Sequence, residues 1–453
     1  MDEEEQGLVK GSGNKLQLTV DEVFEDYVGS FGFSQLVHVF LVSLAWIFDS
    51  HNTLVTIFTD AHPQGWKCIS PLCDENEASF CGLKPGTWEW AAGNSSSTIA
   101  EWGLVCDQKF LAAIPASLFF LGSLLGSAVY GRLADGFLGR KRTVLLSCLL
   151  TSATTFLTSL SPNIWIYSLL RFANGFSRSG IGICCLVLST EAVGRKWRGQ
   201  VGQYGFFFFT AGFLSLPLIA YPTRTCWRNI YKIISFLPLV YAVFILVPFV
   251  SESPRWLLVR GRSEEALDVL KRYAKVNGKT FPANLSLLEP CANKVAGQCT
   301  KNLWNTNWAA KRMAIVMITG FGVGFVYYGV QLNVENLNFN LYFTVAINAM
   351  MEIPAVFCWQ CTLELHQPSF ALLPIGLHCW NFMYPLHYLL KYVAQKGESI
   401  KSGMTSLWLP ETRNSPLYET LEQQEEEEKF NTISDGMEIE LGKEISNTSV
   451  FTI

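Results

Sequence analysis

Asp49 is the residue of this sequence whose type and position most clearly suggest chemistry. It lies beside His51 and Asn52, inside an otherwise apolar stretch at about residues 33–58. A carboxylate is costly to bury in such a stretch, so it is usually kept to bind a cation or to take up a proton. A hydrated position at the outer end of the stretch is the alternative that the sequence leaves open, because the ends of such stretches are uncertain by several residues.

Two tyrosines and a glutamate interrupt other apolar stretches. Tyr327 and Tyr328 lie among several glycines, and they could form an aromatic wall for a quaternary ammonium group. The alternative is a belt at the membrane interface. Glu352, just before Pro354, suggests a gate or a helix end.

Charged residues at the ends of apolar stretches point to ion pairs more than to ligand contacts. Glu191 ends the stretch at about 164–190, close in sequence to Arg195 and Arg198, so we expect it in a structural ion pair at an inner gate. Arg171 lies in the same stretch, and its long side chain is expected to reach the outer interface.

The sequence offers no sign of an enzyme. It has no Gly-rich phosphate-binding loop of the Lys-Ser/Thr type, and its six histidines show no metal-ligand spacing. We therefore expect neither a cofactor nor a bound metal. The net charge of -4 also argues against a nucleic-acid partner.

A short charged turn fixes how the apolar stretches cross a membrane. The turn runs from Gly131 to Arg142 and separates apolar runs at 110–130 and 143–160, each about long enough to cross a bilayer as a helix. Basic residues in short loops stay on the cytoplasmic side. Arg140, Lys141 and Arg142 therefore place this turn, and with it the N-terminus, in the cytoplasm.

The composition agrees with an all-α, multi-pass membrane protein. Only 16% of the 453 residues are charged, against about 25% in soluble domains, and the mean hydropathy is +0.23. Eight spans are clear, at about 33–58, 110–130, 143–161, 164–190, 201–222, 229–250, 312–331 and 340–358.

These spans divide the sequence into five regions. They are a cytoplasmic N-terminal segment (1–32), a six-helix bundle (33–250), a cytoplasmic linker (251–311), an incomplete second bundle (312–409) and an acidic cytoplasmic tail (410–453). Within the linker, Ser263 to Lys275 has the pattern of an amphipathic helix lying along the membrane or under the bundle.

The outward loop at 60–109 carries four cysteines and a glycosylation sequon. Cys68, Cys73, Cys81 and Cys106 suggest a disulfide-stabilised cap, because the outer side is oxidising. Three pairings are possible, and four free thiols are the alternative. Asn94 begins the sequon Asn-Ser-Ser, so we expect it to be glycosylated.

Four motifs together resemble the plant-type organic cation/carnitine transporter family of the major facilitator superfamily. They are Gly131-Arg-Leu-Ala-Asp135-Gly-Phe-Leu-Gly139-Arg140-Lys141, Glu101-Trp-Gly-Leu-Val-Cys106, Glu252-Ser-Pro-Arg255-Trp-Leu257 and Leu409-Pro-Glu-Thr-Arg413. The first motif departs from the usual signature, since Gly136 replaces an arginine and one extra residue precedes Gly139. Sugar porters share the Glu-Ser-Pro-Arg segment but lack the Glu-Trp segment and the large loop. A sugar-porter-like secondary transporter therefore stays as an alternative.

The resemblance implies a major facilitator-like helical bundle of twelve spans in two six-helix halves. Such a protein would move organic cations or carnitine-like solutes by alternating access. The membrane would be the plasma membrane or the vacuolar membrane. Coupling to a proton or a sodium ion is implied as well. Asp49, Tyr327 and Tyr328 would face the substrate. The cytoplasmic gate would comprise Gly131, Asp135, Gly139, Arg140, Lys141, Glu191, Arg198, Glu252 and Arg255.

The resemblance fails between about residues 359 and 402. This segment matches no family helix, although 370–390 could form a poor ninth span, and its composition suggests a mis-spliced or frameshifted product. The family's cation-recognising carboxylate on the eleventh helix would then be missing, and Asp135 would lack its partner there. Two alternatives follow: a transport-inactive membrane product, or a receptor that binds small molecules without moving them.

Overall fold

The computed structural model describes residues 16–63, 65–69, 81, 86–282, 284–288, 307–332 and 340–365. Cys73, most of the segment at 359–402 with its predicted ninth span, and the acidic tail lie outside these residues. In chain order the elements are β1 (Leu16–Leu18), α1 (Val20–Val23), α2 (Phe33–Thr59), β2 (Trp66–Cys68), β3 (Trp88–Trp90), α3 (Thr98–Trp102), α4 (Ile114–Asp135), α5 (Arg140–Thr158), α6 (Ile164–Glu191), α7 (Arg198–Ala220), α8 (Trp227–Phe249), α9 (Pro254–Val259), α10 (Ser263–Val276), β4 (Leu285–Leu287), α11 (Asn307–Leu332) and α12 (Leu341–Leu365).

Eight long helices lie where the eight spans were predicted, which confirms the all-α bundle. Six of them, within the described residues, are long and apolar enough to cross a membrane: α2, α4 with the 3₁₀ turn before it, α6, α7 with the turn before it, α8 and α11. Helix α5 opens with three basic residues, and it packs along α6 and α8 in the same bundle. The second half joins the first through α12, which packs along α7.

Helices α4 and α6 touch backbone to backbone. A Cβ atom on Gly122 would lie 2.1 Å from the carbonyl oxygen of Phe172, and one on Gly175 would lie 2.0 Å from that of Phe119. Only glycine allows two helices to approach so closely inside a membrane. The approach brings the ring of Phe119 against the polar face of α6.

A small layer covers the end of the first half at which the charged turn between α4 and α5 lies. Strand β1 pairs in parallel with β4, and the apolar face of α10 packs on the N-terminal segment around Phe24 and Val28. Tyr273 of α10 hydrogen-bonds to His38 of α2, with 3.1 Å between the hydroxyl oxygen and Nδ1. The amphipathic helix predicted in the linker therefore lies under the bundle and packs with residues of the N-terminal segment.

The outer loop packs on the opposite end of the bundle. A disulfide joins Cys81 to Cys106, and Cys68 is also disulfide-bonded. Asn94 begins an exposed 3₁₀ turn. Short helix α3 follows it, and Trp102 at its end contacts the rings of Tyr167 and Trp227.

Candidate functional site

Asp49 lies inside the bundle and forms an ion pair with Arg178. Its side chain is only 5% exposed, and Nη1 of Arg178 donates to its Oδ1 at 2.7 Å. The alternative of a hydrated carboxylate at the outer end is therefore wrong, because Asp49 lies near the middle of α2 and faces α6. Sequence reasoning missed Arg178, whose pairing with Asp49 depends on how two helices distant in sequence pack together.

Uncharged polar groups continue this pair toward the outer side. Thr155 donates to Oδ1 of Asn52 at 2.6 Å, and Nδ2 of Asn174 donates to Thr155 at 2.8 Å. His51 hydrogen-bonds through Nε2 to Ser215 at 2.8 Å. Such a network, shared by four helices of the first half, satisfies buried polar atoms that lipid could not.

The expectation that Arg171 reaches the outer interface is wrong. Its side chain is fully buried, its Nη1 donates to the carbonyl oxygen of Asn52 at 3.1 Å, and its guanidinium group lies 4.1 Å from the ring centroid of Phe119. Helix α6 begins at Ile164, so Arg171 is about two turns inside it. From there the side chain turns into the bundle.

A second carboxylate, Glu352, lies where α12 meets α7 and α11. Tyr327 donates to its Oε1 at 3.0 Å, Gln331 donates to the same oxygen at 2.7 Å, and Thr210 donates to its Oε2 at 3.1 Å. Within the described part of the chain, no basic side chain comes within ion-pair distance of this carboxylate. Among the described residues, Glu352 is thus an acid inside the bundle whose hydrogen-bond donors are all neutral.

The two tyrosines of α11 face the interior of the bundle. The hydroxyl of Tyr327 contacts Glu352, and the ring of Tyr328 lies 4.8 Å from that of Phe120 on α4. These contacts do not fit a belt at the membrane interface. Phe119, the neighbour of Phe120, lies 5.2 Å from the guanidinium of Arg178. The neighbouring rings of Phe119 and Phe120 thus contact Arg178 of the Asp49 pair and Tyr328 of α11, respectively.

The charged turn between α4 and α5 forms an ion-pair cluster with the end of α6. Arg140 binds Glu191, with 3.2 Å between Nε and Oε2, and its Nη2 lies 3.1 Å from Oδ1 of Asp135. Asp135 therefore has a partner within its own turn, because the tight turn brings Arg140 back beside the end of α4; the expected loss of a partner on an eleventh helix concerns a part of the chain outside the described residues. The partner of Glu191 is likewise Arg140 and not the nearby Arg195 or Arg198.

Glu252 ties the linker to this turn. Its Oε1 accepts hydrogen bonds from the backbone N–H groups of Arg140 and Lys141, each at 3.0 Å. Burial raises the pKa of Glu252, and these N–H groups oppose that rise. Gly139 adopts φ +83°, which favours glycine. A Cβ on Gly131 would meet nothing within 4 Å, so the structure gives no reason for glycine at that position.

Asp21 is a buried acid that sequence reasoning missed. It forms ion pairs with Arg198 and Arg255, and Nε of Arg195 lies 3.4 Å from its Oδ2. Burial opposes its ionisation, but the arginines outweigh this and hold the pKa of Asp21 below its usual range. The available signal was the capping box of Thr19 and Glu22, which marks a helix start directly before Asp21.

Comparisons with known proteins identify the family. The family described as sugar (and other) transporters matches residues 76–361. Organic cation/carnitine transporter 2 of Arabidopsis thaliana is 43% identical over 78% of this chain and 70% of its own length. Transporter 3 of that name and species is 44% identical over 74% and 67%.

A solved structure supports the same fold. The double-tryptophan mutant of XylE superposes with a TM-score of 0.51 at 13% identity, over 82% of this chain and 81% of that one. At this sequence identity the structural similarity supports the fold alone. The family membership is shown by the sequence matches. The chain therefore belongs to the organic cation/carnitine transporters of the major facilitator superfamily, and it is a multi-pass membrane transporter.

Proposed function

We propose that this transporter moves small organic cations, including carnitine-like solutes, by alternating access, and that Glu352 receives the positive charge of the substrate. The supporting observation is the set of partners around Glu352: Tyr327, Gln331 and Thr210, all neutral. An anion buried without a cation is costly. A cationic substrate supplies the missing charge, which gives the site a preference for cations over neutral solutes.

The aromatic rings beside this carboxylate suit a quaternary ammonium group. Tyr327 and Tyr328 contact each other, with centroids 5.2 Å apart, and Tyr328 contacts Phe120 at 4.8 Å. Ring faces attract ammonium groups that have no N–H to donate. Glu352 would then provide charge and the rings would provide shape, both at the contact between the two halves.

Asp49 serves a different purpose in this proposal. Its charge is already matched by Arg178, so it has little left for a substrate cation. Protonation of Asp49 would release Arg178, and this exchange would couple a proton gradient to the movement of the helices. A sodium ion is the other coupling ion considered, and replacing sodium in the uptake medium distinguishes the two.

The cytoplasmic residues act as the inner gate. Arg140 with Glu191 and Asp135, and Glu252 with the backbone of Arg140 and Lys141, hold α4, α5, α6 and the linker together. We assign Gly131, Gly139, Arg198 and Arg255 to the same gate. We further propose that the protein performs no catalysis and works in the plasma or vacuolar membrane.

Uptake by cells that express the full chain tests the proposal. We expect radiolabelled tetraethylammonium or carnitine to accumulate above empty-vector cells, with Glu352→Gln abolishing this gain at equal amounts of protein in the membrane. Asp268→Asn is the matched control, since this acid is 65% exposed on α10 and should leave uptake unchanged. Uptake of xylose but of no cation would contradict the proposal in favour of a sugar porter.

Two further outcomes would also contradict it. Correctly inserted protein with no uptake of any cation would indicate a transport-inactive product. Saturable cation binding without net flux would indicate a receptor. Cell-surface labelling must accompany each measurement, so that loss of protein is not mistaken for loss of transport.

A further inference from the structure

Three arginines converge on a single carboxylate at the cytoplasmic end of the first half. Arg195 comes from the connection between α6 and α7, Arg198 begins α7, Arg255 comes from α9, and all three lie within ion-pair distance of Asp21 on α1. Exposed Glu22 also interacts with the charge of Arg195, but Asp21 is the one acid within ion-pair distance of the three arginines among the described residues, so the cluster keeps an excess of positive charge.

Several guanidinium donors of this cluster are also unused. Nε of Arg255 and both Nε and Nη1 of Arg198 are buried, and none of the described residues accepts a hydrogen bond from them. Arg255 itself is only 9% exposed. Buried donors of this kind almost always have a partner, and leaving a charged one without a partner is expensive. These donors therefore favour binding of an additional, negatively charged hydrogen-bond acceptor.

The cluster is open at one edge. The side chain of Arg195 is 37% exposed, and its neighbour Lys196 is exposed. Both lie on the short connection at the cytoplasmic ends of α6 and α7, where the anionic head groups of the inner leaflet are found. An anion can thus approach from the cytoplasm or from the membrane surface.

We propose that the cluster of Asp21, Arg195, Arg198 and Arg255 binds a phosphate group. Planar guanidinium groups match the oxygens of phosphate with paired N–H donors, and a phosphate monoester supplies the negative charge that the cluster lacks. The same chemistry comes from a lipid such as phosphatidic acid or from free phosphate. Binding there would hold the α6–α7 connection against the linker, independently of which substrate the protein carries.

Thermal unfolding of the purified full chain in detergent tests this proposal. We compare inorganic phosphate with sodium chloride of equal ionic strength, and detergent micelles containing phosphatidic acid with micelles containing phosphatidylcholine. Phosphate or phosphatidic acid should raise the Tm saturably, as expected for a ligand of the native state. A response to phosphatidic acid alone assigns the site to a lipid head group, and a response to both assigns it to the phosphate group in general.

Two variants separate a binding site from a purely structural cluster. Arg198→Gln should remove the response, although it also risks misfolding. Asp21→Asn removes the competing carboxylate, so it should strengthen phosphate binding several-fold even while it lowers the Tm without ligand. Lys271→Gln, an exposed base on α10, is the charge-matched control and should respond like the wild type.

One set of results would support the phosphate site, and two others would contradict it. Stronger binding in Asp21→Asn with an unchanged Lys271→Gln supports the site. The proposal is overturned if the wild type shows no response to either ligand. It is equally overturned if Asp21→Asn binds phosphate more weakly than the wild type, because the cluster would then be structural only.

Discussion

Two carboxylates inside the helical bundle, Asp49 and Glu352, are held in opposite ways. Asp49, in the first half, pairs with Arg178 at 2.7 Å. Glu352, in the second half, is held by Tyr327, Gln331 and Thr210, which carry no charge. A paired acid contributes to the structure, whereas we propose that Glu352 receives the charge of the substrate. The two acids should therefore respond differently to loss of their charge pairing or charge: Asp49 in stability and in coupling, Glu352 in substrate transport.

Breaking the pair in the first half should have the largest effect. Arg178→Gln leaves Asp49 buried without a cation, which costs about 3–5 kcal/mol and should sharply lower the Tm in detergent. The double variant Asp49→Asn with Arg178→Gln should recover most of this loss, because neither charge is then left alone. Glu352→Gln should change the Tm little. An equal loss of stability in Glu352→Gln would remove the contrast between the two acids.

Neutralising the acid of the pair should uncouple transport. Asp49→Asn replaces the carboxyl group by an amide that cannot take up a proton. An imposed pH gradient should therefore no longer drive accumulation of the substrate cation. Exchange of labelled for unlabelled cation should continue, because Glu352 is intact. Vesicles assayed for gradient-driven uptake and for exchange separate these steps. Gradient-driven uptake that persists in Asp49→Asn would place the coupling site elsewhere.

The positions of the helices could be predicted from the sequence, whereas the partners of the charged residues could not. Long apolar runs and basic turns determine where α2 and the helices α4 to α8 lie, because lipid demands continuous helices. The pairing of Asp49 with Arg178 instead depends on the contact between α2 and α6, far apart in the chain. Arg171 and Arg178 lie on the same helix, and no local pattern tells which of them meets the acid.

Some of what sequence reasoning missed did leave a local trace. Thr19 and Glu22 form a capping box, and this pattern predicts the start of the helix that contains Asp21. Glu352 was visible as a charge in an apolar stretch, but its neutral partners come from two other helices, α7 and α11. How deeply a side chain is buried, and which residue it pairs with, depend on how the helices pack. Neither can be predicted from a single sequence.

The ring of Tyr328 offers a finer test of the second half. Tyr328→Leu should raise the KM for tetramethylammonium roughly two- to fivefold, since a cation–π contact contributes about 0.5–1 kcal/mol. Tyr328→Phe keeps the ring and should retain the wild-type KM. Measuring both variants at equal surface expression isolates the ring. An equal rise in KM for both would mean that the hydroxyl, and not the ring face, makes the contact.

Glu101, an acid at the end of the first half opposite the charged turn, gives the smallest expected effect and serves as a reference for Asp49 and Glu352. Glu101 pairs with Arg228 and accepts a hydrogen bond from Nε1 of Trp227 at 2.7 Å, with its own side chain 27% exposed. Pairs near water contribute about 0–1 kcal/mol, and the amide oxygen of Glu101→Gln can still accept from Trp227. The Tm of this variant should fall by a few degrees at most, and cation uptake should stay near the wild-type rate. A fall as large as that of Arg178→Gln would mean that charge pairing stabilises the whole first half uniformly, and that the buried position of Asp49 is not what sets it apart from Glu352.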